Sequence, residues 1–202
     1  MSVRADSIDA ARCALVLVDY QAKLMPAIHG GAAVVRAAEA LADGARLLGL
    51  RVVGTEQNPA GLGPNVAGIR ARCDVTLPKM HFDGCDDGLV AAIDAESSRP
   101  EVVIAGCEAH VCLLQTALGL LRQGRRVWVV TDACGSRRRS DHAASMQRLA
   151  EAGATRVSTE MVLFEWLRHS GHPRFREVLS RIKSIEVPPE SSPGYPGKST
   201  FS

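Results

Sequence analysis

Aromatic side chains make up only 4% of this 202-residue chain, a scarcity that argues against a stacking platform for single-stranded nucleic acid. The net charge of +2 gives no electrostatic reason to expect nucleic acid or a membrane as partner. No apolar run approaches the length that spans a bilayer. Met1 to Ala10 carries Asp6 and Asp9 without an apolar stretch, so no secretory leader is read there. Neither a C-x-x-C pair nor a Cys/His pair at zinc-finger spacing occurs, which removes the usual structural zinc sites. No G-x-G-x-x-G or Walker sequence follows any apolar run, so a nucleotide-binding module is not indicated. No metal and no cofactor is expected. Six cysteines remain to be explained. Cys13, Cys107 and Cys134 lie in or beside apolar runs, and all six read as reduced thiols of a cytoplasmic protein.

What is present is an alternation of strand and helix signals. Cys13 to Val18 is a continuous apolar run ending at Asp19, and Ala33 to Leu50 carries Val34, Ala37, Ala38, Leu41 and Leu48 on one helical face. Arg51 to Thr55 reads as a second strand, Pro59 to Pro64 as a Gly/Pro loop, and Asp74 to Lys79 as a third strand. A short helix over Gly88 to Glu96 follows, then a strand ending at Ala105 and an amphipathic helix marked by Leu113, Leu114, Ala117, Leu118 and Leu121. Strand Arg126 to Thr131, helix Asp141 to Glu151 and strand Arg156 to Ser158 complete the alternation, with helical signals at Met161 to Leu167 and Phe175 to Ile182. The strands before Asp19 and Gly106 lack polar alternation, as strands covered on both faces do. The pattern predicts an α/β fold: a single-domain parallel sheet of about six strands with helices on both faces, over residues 1–187. Residues 188–202, rich in Pro, Ser and Gly, read as a flexible tail.

Three strand ends carry chemistry. Gly106-Cys107-Glu108-Ala109-His110-Val111-Cys112 puts Cys112 where a strand hands over to a helix, in the expected first turn. There unpaired N–H groups and the helix dipole would stabilise a thiolate. The first strand stops at Asp19 and the third at Lys79. Ligands of open parallel sheets sit at the carboxyl ends of the strands, where these three can converge. Each has a plainer reading: Cys112 as a core cysteine, Asp19 as a helix N-cap, Lys79 as a solvated lysine. A receiver-type regulatory domain also gathers Asp and Lys at strand ends. It requires a cluster of acids after the first strand, whereas Asp19 is followed by Tyr20 and Gln21. An idle scaffold that retains the residues is a further alternative.

These residues, with Gln115-Thr116-Ala117, Gly124 to Val127, Val129 to Cys134, Ser136-Arg137, His142, Gly153-Ala154 and Ser158-Thr159-Glu160, resemble the isochorismatase-like cysteine hydrolases over roughly residues 12 to 183. The runs Glu108 to Cys112 and Thr55 to Pro59 are most similar to the isochorismatase domain-containing proteins. The resemblance implies a three-layer α/β/α, Rossmann-like hydrolase fold and a triad of Asp19, Lys79 and Cys112. It further implies an oxyanion hole from the backbone N–H groups of Glu108 and Cys112, and a cis peptide between Cys107 and Glu108. Ala109 stands where the family often has Thr. Glu56-Gln57-Asn58-Pro59 replaces the Asp-x-His metal motif of the nicotinamidase branch. Isochorismatases proper lack the cysteine.

The expected activity is metal-independent hydrolysis of a small amide or related acyl compound through a thioester. Asp19 would act as proton carrier and Lys79 would stabilise the thiolate. Tyr20, Gln21, Leu24, Phe82, Ala109 and Arg137 are candidate substrate contacts, on proximity alone. His110 is expected in a structural or rim position. Asp132 is expected to cap a helix or loop, and Arg137-Arg138-Arg139 to be mainly solvated. The expected partners are a small-molecule substrate and further copies of the chain, as a dimer or tetramer.

Overall fold

A computed structural model describes residues 7–185; the expected tail from 188 and the boundary at 187 lie outside the described residues. Six strands form one parallel sheet: β1 (Cys13–Val18), β2 (Arg51–Gln57), β3 (Val75–Lys79), β4 (Glu101–Gly106), β5 (Arg126–Val130) and β6 (Thr155–Val157). Their order is β3-β2-β1-β4-β5-β6. The chain winds outward from β1 to β3, then returns to the other side of β1 with β4. The carboxyl ends of β1 and β4 therefore flank the point where the winding direction reverses, the place where such sheets leave a crevice.

Burial explains the strand sequences. Every residue of β1 and β4 is enclosed, which is why both runs lack polar alternation. The exception by type, Glu101, accepts a hydrogen bond from Trp128 Nε1 at 3.1 Å and lies 3.7 Å from the Arg12 guanidinium. Helix α1 (Gly31–Leu47) follows β1, and the short α2 (Pro59–Leu62) and α3 (Ala67–Arg70) follow β2. Helix α4 (Leu89–Ile93) follows β3, α5 (Leu114–Arg122) follows β4 and α6 (Arg139–Glu151) follows β5. Helices α7 (Thr159–Leu167) and α8 (Phe175–Lys183) pack with α1, giving a three-layer arrangement. The α1–α7 contact is close because Gly44 has no side chain; a Cβ there would lie 2.2 Å from Leu163 Cδ2. Among the described residues no helix is long and apolar enough to cross a membrane. All six cysteines are free thiols.

Two departures from the sequence reading matter for the site. Strand β2 continues past Thr55 to Gln57, because the polar Glu56 and Gln57 find partners within the sheet edge rather than ending it. The Gly/Pro stretch after it is not wholly loop: Pro59 opens α2, at the position where a missing N–H costs a helix nothing.

Gly106 closes β4 directly against β1. A Cβ at this position would lie 2.4 Å from the Val18 carbonyl oxygen and 2.5 Å from Val18 Cβ, both fixed by the sheet. Gly106→Ala is expected to destabilise the fold by about 3 kcal/mol as overpacking that backbone cannot relieve. Differential scanning calorimetry should then show Tm falling by roughly 6–12 °C at this chain length. An unchanged Tm would mean that the β1–β4 edge yields.

Candidate active site

Strand β1 stops at Asp19, whose φ of 54° is left-handed and turns the chain out of the sheet. Asp tolerates this region better than most residues. The carboxylate is completely buried and heads no helix; the next helical turn begins at Met25 with Leu24 before it. Thr55 Oγ1 donates to Asp19 Oδ1 at 2.7 Å. The other oxygen, Oδ2, lies 2.8 Å from Lys79 Nζ. That ion pair is too poorly aligned to be a hydrogen bond, and Oδ2 has no other hydrogen-bond partner among the described residues. Lys79 is not a solvated lysine: the side chains of both partners are 0% exposed.

Beside this pair stands Gln57, which the sequence reading weighed only as part of a replaced metal motif. It ends β2 in register with Lys79 at the end of β3. Its Oε1 accepts from Lys79 Nζ at 2.6 Å and from Cys112 Sγ at 3.8 Å, while its Nε2 donates to the Met80 carbonyl at 2.8 Å. Lysine only donates, so the network leaves one orientation of the amide. The available signal was a run of three polar residues, Thr55-Glu56-Gln57, at the end of an otherwise apolar strand. Glu56, where a metal ligand would be sought, instead accepts from Asn65 N–H at 2.8 Å and faces Arg70 at 3.9 Å. No group of three or more His, Cys, Asp and Glu that could hold a metal occurs among the described residues.

Cys112 completes the cluster from a π-helical turn, Ala109–Leu113, that precedes α5. The expected α-helical first turn is therefore replaced, and the surroundings of the sulfur work against the expected thiolate. Burial, followed by the Asp19 carboxylate, pushes the Cys112 thiol up to about 12, and the Lys79 ammonium only partly opposes them. Cys13, Cys85 and Cys134 are also pushed up to about 12. Acidity does not single out Cys112; the charged pair beside it does. The peptide between Cys107 and Glu108 is cis. The Glu108 carbonyl accepts from Val111 and Leu113, while its N–H donates to no acceptor among the described residues.

The remaining candidates separate into buried supports and rim. Tyr20 is fully enclosed, its OH donating to the Ala133 carbonyl at 2.5 Å. Gln21 is equally buried: its Oε1 accepts from Gln57 N–H, and its Nε2 donates to the Gln57 and Gly63 carbonyls. Ala109 presents no surface, and its N–H donates to Gly135 at 2.7 Å. These three have no free group for a ligand, a correction to proximity reasoning. Leu24 is half-buried against the core and Phe82 is 50% exposed. Arg137 is exposed but donates through N and Nε to the Glu108 carboxylate. His110 bonds Ser136, and Asp132 accepts from Thr159 N–H at the start of α7.

Comparisons with known proteins agree with this architecture. The isochorismatase domain family model matches residues 13–161. Isochorismatase domain-containing protein 2A of Mus musculus is 35% identical over 169 residues, 84% of this chain and 82% of the relative. The structure described as the MAR1 ribonuclease of Caenorhabditis elegans superposes with a TM-score of 0.80 at 28% identity, covering 96% of this chain and all of that one. YcaC from Pseudomonas aeruginosa, solved with hexane-2,5-diol and covalent acrylamide, gives a TM-score of 0.78 at 25% identity over 91% of this chain and 99% of its own. With a matched domain across most of its length and a curated relative above 30% identity, the chain belongs to the isochorismatase family.

Proposed function

We propose that the protein is a cysteine hydrolase of small amides or related acyl compounds, working through Asp19, Lys79 and Cys112 without a metal. The observation that carries this reading is the buried Asp19–Lys79 pair set against the Cys112 thiol. A neutral thiol needs a base at the moment of attack. Asp19 Oδ2, short of an aligned hydrogen bond, is free to take the proton. As sulfur bonds to the carbonyl carbon, negative charge grows on the carbonyl oxygen, where the N–H groups of Glu108 and Cys112 would meet it; one such donor is worth roughly 3 kcal/mol. The proton passes from Asp19 to the departing amine, and water activated by Asp19 then cleaves the thioester. Lys79 and Gln57 hold the carboxylate and sulfur in place throughout. The covalent acrylamide described for YcaC, an amide and an electrophile, supports a reactive nucleophile in a protein of this shape. A ribonuclease reading, suggested by the nematode structure's name, fits less well: the acid and the cation here neutralise each other out of reach of a polyanion.

Met80 and Phe82, directly after Lys79, are 66% and 50% exposed. The proposal includes a homo-oligomer, dimer or tetramer, in which a second copy covers this apolar rim. Phe82→Asp is expected to shift the sedimentation coefficient toward that of a monomer. Coincident profiles for the two proteins would place any interface elsewhere.

The charges give opposite signs for two reactions of the same sulfur. Asp19→Asn removes the carboxylate that pushes the thiol up and leaves the Lys79 ammonium unbalanced, so iodoacetamide should alkylate Cys112 faster at fixed pH while hydrolysis is lost. Lys79→Ala should slow alkylation and also abolish hydrolysis. Each single change strands a buried charge at a cost of about 3–5 kcal/mol, whereas Asp19→Asn/Lys79→Met should recover most of that stability without recovering activity. Slower alkylation in Asp19→Asn would overturn the charge effect assigned to Asp19, and turnover in either the Asp19→Asn or the double variant would remove Asp19 as the base.

Turnover should survive dialysis against EDTA unchanged, since the Glu56 carboxylate is already engaged by Asn65 and Arg70. Loss of rate restored by added zinc would identify a metal ligand set that this reading omits.

A further inference from the structure

The loop after β5 meets the turn that carries Cys112 residue against residue. Gly135 bridges to Cys107, and its N–H donates to the Gly106 carbonyl at 3.1 Å. Its own carbonyl accepts from Ala109 N–H at 2.7 Å. Ser136 Oγ lies 3.0 Å from His110 Nδ1. Arg137 donates twice to Glu108 Oε1, from its N–H at 3.3 Å and from Nε at 2.9 Å. The loop is anchored in turn: Tyr20 OH holds the Ala133 carbonyl at 2.5 Å and His29 N–H holds the Ser136 carbonyl at 3.0 Å. Gly135 permits the approach, because a Cβ there would lie 2.5 Å from Ile28 Cγ2.

None of these bonds takes part in the proton transfers described above. Those made to the turn fall instead on Glu108, which carries one of the two backbone donors assigned to the oxyanion, and on Ala109 and His110, which follow it toward the other. The π turn has no side-chain cap of its own at Glu108, so its restraint comes from outside. We propose that Gly135-Ser136-Arg137 is a clamp that positions the oxyanion donors, with Arg137 acting through the Glu108 carboxylate and Ser136 through His110. This inference rests on the cysteine-hydrolase reading. Its physical basis is that a donor stabilises developing charge in proportion to how firmly it is held before the charge appears. The Arg137–Glu108 pair is suited to positioning rather than to stability, because Arg137 is 62% exposed and exposed pairs contribute little to folding. Only the Nε of its guanidinium is engaged by Glu108, and in this proposal Arg137 acts as a positioning residue through that bond.

Two reagents separate the clamp from the thiol itself. With p-nitrophenyl acetate the Cys112 proton goes to Asp19, an S–C bond forms, and the ester C–O bond breaks to release p-nitrophenolate through an oxyanion. With iodoacetamide the thiol loses its proton to solvent, the sulfur bonds to the CH₂ carbon as the C–I bond breaks and iodide leaves, and no oxyanion forms. Ser136→Ala and Arg137→Ala should slow acylation of Cys112 roughly ten- to hundred-fold, as misplacement at a distance does, with alkylation unchanged and melting curves preserved. Ser136→Thr, which keeps the hydroxyl, should restore acylation. Adding Arg137→Ala to Glu108→Ala should produce no further loss, because the two act as one unit. Equal slowing of both reagents, additive losses, or slowing seen only with an anionic ester such as p-nitrophenyl hemisuccinate would overturn the clamp. Unchanged acylation in both alanine variants would also overturn it, and would leave the hydrolase reading standing. A wild-type Cys112 that alkylates but never acylates would overturn that reading and the clamp together.

Discussion

Asp19 and Lys79 face each other at 2.8 Å with no access to water, and the edge of the sheet is built around that pair. Removing two ions from water costs several kcal/mol each even after the protein relaxes, and mutual attraction offsets this only when hydrogen bonds supplement it. Thr55 supplies one to Asp19, and Gln57 and the His81 carbonyl supply two to Lys79. Thr55 and Gln57 both belong to β2, the strand lying between β1 and β3. The order β3-β2-β1 is therefore what makes the pair affordable, since the middle strand carries the groups that compensate both outer charges.

The same pair bears on the acidity of Cys112. A lone cation beside the sulfur would favour a resting thiolate; a cation already balanced by Asp19 does not, and burial weighs further against it. The thiol is consequently pushed up to about 12. In the proposed reaction such a sulfur would need its proton removed as it attacks, with Asp19 as the base.

Much of this architecture was legible in the chain. Six apolar runs and the helical periods between them identified a doubly covered parallel sheet, and the family motifs pointed to three strand ends. What escaped was set by tertiary context. Gln57 was read as a missing metal motif because its meaning comes from register with Lys79, a pairing made 22 residues away. The thiolate expectation for Cys112 used the local helix dipole, whereas desolvation and the Asp19 charge dominate at the site. Tyr20, Gln21 and Ala109 were chosen as neighbours in sequence of Asp19 and Cys112. Yet consecutive residues at a strand end or in a tight turn point in different directions, and all three point into the protein.

That inward direction has a consequence for how the site is assembled. Tyr20 fastens the end of β1 to the loop after β5 through Ala133, and Gln21 fastens it to the end of β2 and to Gly63. The two residues following Asp19 thus tie loops from opposite halves of the sheet to one strand end. Substituting either would leave a buried polar partner unsatisfied, a change costing about 1–3 kcal/mol, so neither position is free to vary with a ligand. Variation is open instead at the half-buried or exposed Leu24, Met80 and Phe82. The separation follows from burial alone: the buried residues are committed to holding loops in place, and those of the apolar rim are not.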